Sequence, residues 1–191
     1  MNGRQKYAMA RPAIRALAVV ASLRPRHLLT WLWPRAANIR RHKGLALRHV
    51  ILSALSGQIG DNVSIYPNTW VLSPSGLTIG DNVSIHPMCY IDASGGIAMG
   101  SDVSLAHGVT VMSTTHTYDS LEQPIKYKPL LEVKTHIADN VWIGAKATIV
   151  AGVHLRQGSV VRAGSVVTRD VPDDSVVAGV PGRIIRNRTQ P

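Results

Sequence analysis

An all-β coil with three flat sides, preceded by a helical arm and interrupted by one protruding loop, is the fold class the sequence predicts. Three observations predict it. Near-identical segments recur, IGDNVSIYPNTWV from Ile59, IGDNVSIHPMCYI from Ile79 and MGSDVSLAHGVTV from Met99, so that Gly60, Gly80 and Gly100 stand 20 residues apart. Within each copy an aliphatic returns every sixth residue: Ile59, Ile65 and Val71; Ile79, Ile85 and Ile91; Met99, Leu105 and Val111. Neither a helix nor a lone amphipathic strand has that period, whereas a three-sided coil places one aliphatic per side and polar residues at the corners.

The first element in the chain is the arm, residues 1–58. It carries eleven Lys or Arg and no Asp or Glu up to residue 60, whereas residues 61–191 carry ten basic and eleven acidic groups. The formal charge of +10 therefore belongs to the arm, which suits an anionic lipid, a phosphate or an acidic partner, or serves only as a solvated leader. Two apolar patches, Ala16 to Leu23 and Leu28 to Trp33, are too short to cross a bilayer, which takes about 20 apolar residues. They read as short helices limited by Pro12, Pro25 and Pro34, either capping the open end of the coil or lying on a membrane surface with Trp31 and Trp33 at the interface. Leu45 to Leu55 reads as a lead-in to the first coil. The lone Cys89 excludes an intrachain disulfide and a cysteine-based metal site. It fits a reducing compartment and reads as packing, so the expected location is cytoplasmic, peripheral at the inner face of the membrane.

The coil domain spans residues 59–191. Ser73 to Gly76 and Ala93 to Gly96 supply turn chemistry for the two residues by which a 20-residue period exceeds three hexads. After Val111 the rhythm stops and resumes only at Ile137, a gap of 26, which marks an excursion over residues 113–134. A long loop on a regular scaffold is usually functional or disordered, and this one holds aromatics and a histidine instead of a Gly/Ser tract. From IADNVW to VTRDVP the hexads return, for about five coils in all, and past Val171 the chain leaves the coil. The small residues on the outer faces suit side-by-side packing of copies and a homotrimer.

At STTHTYD, VWIGAKATIVAGV and VRAGSVVTRDVPDDSVVAGVPGRII the chain resembles the hexapeptide-repeat acyltransferases, closest to the sugar O-acetyltransferases of the maltose and galactoside type, over residues 59–186. The resemblance implies a left-handed parallel β-helix, an exception to the usual right-handed crossover. It further implies a homotrimer with active sites between subunits, acetyl-coenzyme A as donor, and an acetyl group moved to a sugar hydroxyl in exopolysaccharide or cell-surface glycan synthesis.

An alcohol attacks a thioester only while a base removes its proton, and imidazole suits that task near neutral pH. His116 opens the excursion and matches the family's catalytic histidine. Asp92, Asp119, Glu122 or a backbone carbonyl would orient it. On the donor side Gly144, Ala145, Ala163, Gly164 and Trp142 match family positions. Arg169 and Arg183, with Arg186 as a further candidate, match its basic positions for the phosphates. The acceptor candidates are Asp92, Tyr90 and Asn68, with Tyr66 and His86 nearby in the early coils. Two departures stand out: Leu155–Arg156 and Val161–Arg162 replace the family's IG pairs, and the basic arm has no counterpart in its compact members.

Other classes remain in view. An amine acceptor would make the protein an N-acetyltransferase. The same fold serves zinc enzymes, but the histidines here lack the required pairing five apart, and no metal is expected. A non-catalytic module held to a membrane by its arm is a third reading; nucleic acid is not an expected partner.

Overall fold

The hexads fold as a three-sided parallel coil in the computed structural model, which describes residues 3–39 and 41–189; the outermost residues of both predicted regions lie outside these. Side A stacks Gln58–Ile59, Leu77–Ile79, Ile97–Met99, Thr135–Ile137 and His154–Leu155. Side B stacks Ser64–Ile65, Ser84–Ile85, Ser104–Leu105, Trp142–Ile143, Val160–Val161 and Ser175–Ala178, and side C stacks Trp70–Leu72, Tyr90–Asp92, Thr110–Met112, Thr148–Ile149 and Val166–Val167. Five coils are complete. A sixth begins after a shortened step of four residues from Val167: Val171 bridges to Leu155 and Val177, six residues on, pairs with Val161, both buried. The expectation that the chain leaves the coil past Val171 is corrected on this point: the prolines and aspartates there occupy corners, while the valines still face the core.

The periodic aliphatics form columns. Ile65, Ile85, Leu105, Ile143 and Val161 stand one above another on side B with no exposed surface. Burying each such side chain contributes roughly 1.5–3 kcal/mol, and the repeat multiplies the gain coil by coil. The polar residues between them have equally definite work. Asn62, Asn82, Asp102 and Asn140 occupy one corner with φ of 54°, 58°, 57° and 57°. Asn and Asp tolerate this left-handed turn better than most residues, which accounts for the recurring Asp-Asn or Ser-Asp pair. Beside them the Asp61 N–H donates to Asp81 Oδ1, the Asp81 N–H to Ser101 Oγ and the Ser101 N–H to Asp139 Oδ1. The extra two residues of the lower coils sit between sides C and A, where Pro74–Gly76 makes a short 3-10 turn after Ser73 at φ 49°.

The arm consists of α1 (Gly3–Ser22), α2 (Arg26–Ala37) and α3 (Arg41–Leu55). Pro25 breaks the chain between α1 and α2 as expected, but Pro12 and Pro34 lie inside helices. Each proline forgoes one main-chain bond, and packing on α3 holds the helices together around it. Leu45 to Leu55, read as the lead-in to the first coil, is helical as part of α3. Leu52 enters the coil's core, so α3 caps the first coil.

Candidate active site

The excursion is a hairpin: Thr114–His116 pairs antiparallel with Leu130–Glu132, placing His116 opposite Leu130. Its root is a knot of hydroxyls around one buried carboxylate. Thr114 Oγ1 donates to Asp92 Oδ2 at 2.6 Å, and Ser94 donates to Asp92 Oδ1 through its hydroxyl at 2.7 Å and its N–H at 3.1 Å. Ser113 Oγ donates to the Asp92 carbonyl at 2.7 Å, and Thr135 Oγ1 donates to Met112 O at 2.6 Å. Asp92, Ser113, Thr114 and Thr135 are all buried. Burial raises the Asp92 pKa, but the bonds from Thr114 and Ser94 outweigh it and hold the carboxyl below its ordinary value. The strand leading to His116 is thereby pinned, and His116 itself is exposed two residues beyond the pinned Thr114.

Asp92 therefore braces the histidine strand, with both of its oxygens accepting hydrogen bonds from within the chain. Asp119 and Glu122 do not orient the histidine; among the described residues its ring has no hydrogen-bond partner. Ser94, Ser113, Thr114 and Thr135, which hold the root of the hairpin, are the residues that reading by position missed. The signal was the hydroxyl run STT immediately before His116.

The other candidates fall into two groups. Most share side C and its edges. Tyr90 points outward on side C of the second coil, stacked between Trp70 and Thr110. Asn68 lies on the edge between sides B and C, its N–H donating to Ala37 O at the end of α2. Gly144, Ala145, Ala163 and Gly164 form one patch on that same edge, two coils thick, joined by the Gly164 N–H to Ala145 O at 2.8 Å. A Cβ at Gly144 would meet Ala163 N at 2.5 Å, so the coils close up there, whereas Gly164, at φ +71°, has open space beside it. Among the described residues the N–H groups of Ala145 and Ala163 reach no main-chain acceptor. Arg169 lies on the opposite edge of side C, the edge from which the excursion springs. Trp142 and Arg183 form the second group, on side B. Trp142 projects outward and is 47% exposed, and Arg183 starts the final strand, Arg183–Asn187, which folds back antiparallel on Ser175–Ala178. Arg186 lies on the same strand.

A separate cleft of about 350 Å³ opens between the arm and side B of the first two coils, lined among others by Tyr7, His49, Asn62, Tyr66, Asn82 and Ser84. Asn68, Tyr90 and Asp92 lie outside it. Tyr66 and His86 stack with ring centres 5.0 Å apart. Cys89 is buried, and that burial pushes its thiol up to about 11, which suits packing and not nucleophilic work. No group of three His, Cys, Asp or Glu stands close enough to hold a metal among the described residues.

Comparison with known proteins matches this architecture. The family model described as the hexapeptide repeat of succinyl-transferase matches residues 135–169. The galactoside O-acetyltransferase of Escherichia coli K12 is 52% identical over 50 residues, 26% of this chain and 25% of that one. The 2,3,4,5-tetrahydropyridine-2,6-dicarboxylate N-acetyltransferase of Clostridium perfringens SM101 is 49% identical over 67 residues, 35% of this chain and 26% of that one. The matched segments thus span about a quarter of these relatives' length. The crystal structure of a hexapeptide-repeat acetyltransferase from Vibrio cholerae superposes with a TM-score of 0.75 at 26% identity, covering 92% of this chain and 93% of that one. The same protein has been solved with acetyl-coenzyme A and superposes with a TM-score of 0.70 at 27% identity, covering 92% of this chain and 87% of that one.

Proposed function

We propose that this chain, a member of the hexapeptide-repeat acetyltransferase family, moves an acetyl group from acetyl-coenzyme A to a sugar hydroxyl, with His116 as the general base. The observation that carries the reading is the placement of His116. It is the exposed end of a strand whose root is locked by Asp92, on the edge of side C that also carries Arg169. Across that side lie Gly144, Ala145, Ala163 and Gly164, small residues with two unengaged N–H groups that suit an amide-rich pantetheine arm. Arg169 and, from side B, Arg183 suit its phosphates.

In this mechanism the His116 imidazole takes the proton of the acceptor hydroxyl as its oxygen attacks the thioester carbonyl. The carbon–sulfur bond of the tetrahedral intermediate then breaks, and the imidazolium returns the proton to the departing thiolate. No acyl group passes through the enzyme, and Cys89 is not needed. Asn68, Trp70 and Tyr90 offer amide and aromatic surface on the lower coils for a sugar of a cell-surface glycan. The hairpin exposes Tyr118, Leu121, Ile125 and Tyr127, with Leu121 at 99%. Apolar side chains held out this way suit burial against a neighbouring copy, and a homotrimer would close the site between subunits.

The likeness to an N-acetyltransferase supports a second reading, in which the acceptor is an amine. One experiment separates the two: thiol release from acetyl-coenzyme A over matched panels of sugars and amines, with wild type beside His116→Ala. Release with hydroxyl acceptors, lowered about 100-fold or more in the variant, is the expected result. Release with amines alone would overturn the hydroxyl reading, and undiminished release in His116→Ala would overturn the base.

A further inference from the structure

The first two helices of the arm are apolar on two faces, and packing on α3 covers only one of them. On α1 the side chains of Ile14 and Ala21 are buried, with Tyr7 and Ala18 half-buried beside them. This is the helical spacing of a face packed on α3. Met9, Ala13, Ala16, Val20 and Leu23 repeat at the same spacing on the opposite face and are exposed. The helix α2 shows the same division. Leu29 and Ala36 are buried, while Leu28, Trp31 and Arg35 form an exposed stripe. Leu23 is 80% exposed and Trp31 is 54% exposed, although an exposed leucine or tryptophan on a packed helix gains nothing from that position.

The charge around these stripes is of one sign. Arg24 follows Leu23 at the end of α1, and the Arg35 guanidinium lies 3.4 Å from the centre of the Trp31 ring. Of the arm's eleven basic residues, Arg11 and Arg15 are paired with Asp61 and Arg48 is buried, so the others have no carboxylate within the arm to answer them. No helix among the described residues is long and apolar enough to cross a membrane.

We propose that the exposed faces of α1 and α2 dock this protein on an anionic lipid surface, with Val20, Leu23, Leu28 and Trp31 entering the headgroup boundary and Arg24 and Arg35 at the level of the phosphates. An apolar stripe flanked by arginines, short of a spanning length, is the chemistry of a helix lying in the interface. Trp31 with Arg35 stacked on it presents a flat apolar body and a cation together, which suits the boundary between acyl chains and headgroups. A second copy of the chain fits this surface poorly, because it would bring an equally basic, acid-free arm against the first. The inference is independent of the acetyl-transfer reading.

The test is co-sedimentation of the full chain with vesicles of phosphatidylglycerol and phosphatidylcholine in equal parts, and with phosphatidylcholine alone, at low and high salt. Sedimentation velocity is run on the same samples without lipid. Wild type is expected to pellet with the anionic vesicles and to be released by salt. Leu23→Asp with Trp31→Asp should lower its partitioning by more than about tenfold, since each loses a buried apolar side chain. Arg24→Glu with Arg35→Glu should lower it by about tenfold, from two lost attractions. Both variants should keep wild-type sedimentation velocity and thiol release. Equal pelleting with neutral vesicles, unchanged pelleting of the Leu23/Trp31 variant, or no pelleting of wild type would each overturn the proposal. So would a shift of the Leu23/Trp31 variant to a smaller species, which would make the stripe a contact between copies.

Discussion

The coil carries two appendages, and they are fastened by opposite chemistry. The excursion is fastened by hydroxyls around a single buried carboxylate, Asp92, which Thr114 and Ser94 surround at 2.6–3.1 Å. The arm is fastened by guanidinium groups. Arg48, with 0% exposure, donates through Nε to Ile65 O at 2.6 Å and through Nη1 to Ala36 O and Ile39 O at 2.8 Å, tying α2, α3 and the first coil together. At the surface Arg11 and Arg15 share Asp61, Arg15 at 2.6 Å. Short hydroxyls bonded within a turn or two of coil leave a strand little freedom, which suits the role proposed for His116. Long side chains reaching carbonyls and a surface carboxylate join separate elements without demanding one rigid angle.

Arg48→Met tests the arm's joint most severely. It removes the guanidinium donors of Ile65 O, Ala36 O and Ile39 O, of which Ala36 O keeps the Ile39 N–H, and the expected loss is about 3 kcal/mol of unfolding free energy by urea titration, with the coil's β-signal in circular dichroism retained. A loss below about 1 kcal/mol would mean that water satisfies those carbonyls and that the joint is not built on Arg48. Thr114→Val tests the other joint. It removes a hydrogen bond to a charged group and should cost about 2 kcal/mol. Its distinguishing outcome is kinetic: kcat should fall several-fold with KM for the donor nearly unchanged, because His116 loses its anchorage and the donor bed is untouched. A variant as unstable as Arg48→Met but with wild-type kcat would break the contrast.

The third prediction concerns pH. Burial lowers the His49 pKa from its ordinary 6.5, while Val63 O, 3.2 Å from Nδ1, and Asp61 work in the other direction. The folded state therefore favours neutral His49, and the unfolded chain binds the proton more readily. Stability should rise with pH through the window just below 6.5 and fall as the solution is acidified through it. The slope between pH 7 and pH 5 should flatten in His49→Gln, read from urea midpoints, by up to about 1 kcal/mol. Asp92 follows the same sign in a lower window, because its folded-state pKa is lowered as well. Its stabilisation is present above the ordinary carboxyl range and is lost only in stronger acid, so its joint should outlast the His49 joint on acidification. The smallest effect belongs to Asp61→Asn, expected to cost under about 1 kcal/mol and to vanish at high salt, because the pair it breaks is exposed. A salt-insensitive loss would mean that Asp61 acts on the corner turn and not on the arginines.

The two joints also differ in how far they could be read beforehand. The excursion was legible because a broken rhythm between Val111 and Ile137 is visible along the chain, and His116 stood out by its neighbours. Asp92 stood out as a candidate for the acceptor or for orienting His116, but its part in the joint was not legible, since nothing in a linear reading says that residue 92 lies one coil beneath residue 114. Arg48 left no trace at all. One basic residue among eleven in an arm is indistinguishable from its solvated neighbours until α2 ends beside it. The helices of the arm were drawn too short for a related reason: Pro12 and Pro34 weaken a helix locally, and only the packing on α3 shows that the rest of each helix outweighs them.

By itself the sequence determined the coil, since a six-residue return of aliphatics leaves few other ways to bury one side chain per hexad and turn at the polar residues between. It determined the break in that coil and the histidine within it. The tertiary structure decided which candidates share a face, because the register of one coil on the next puts Tyr90, the root of His116 and the small residues from Gly144 to Gly164 along side C and its edges. It also decided which charges are spent inside the chain and which apolar faces are left over. Those are outcomes of contacts between residues far apart in the chain, and no periodicity encodes them.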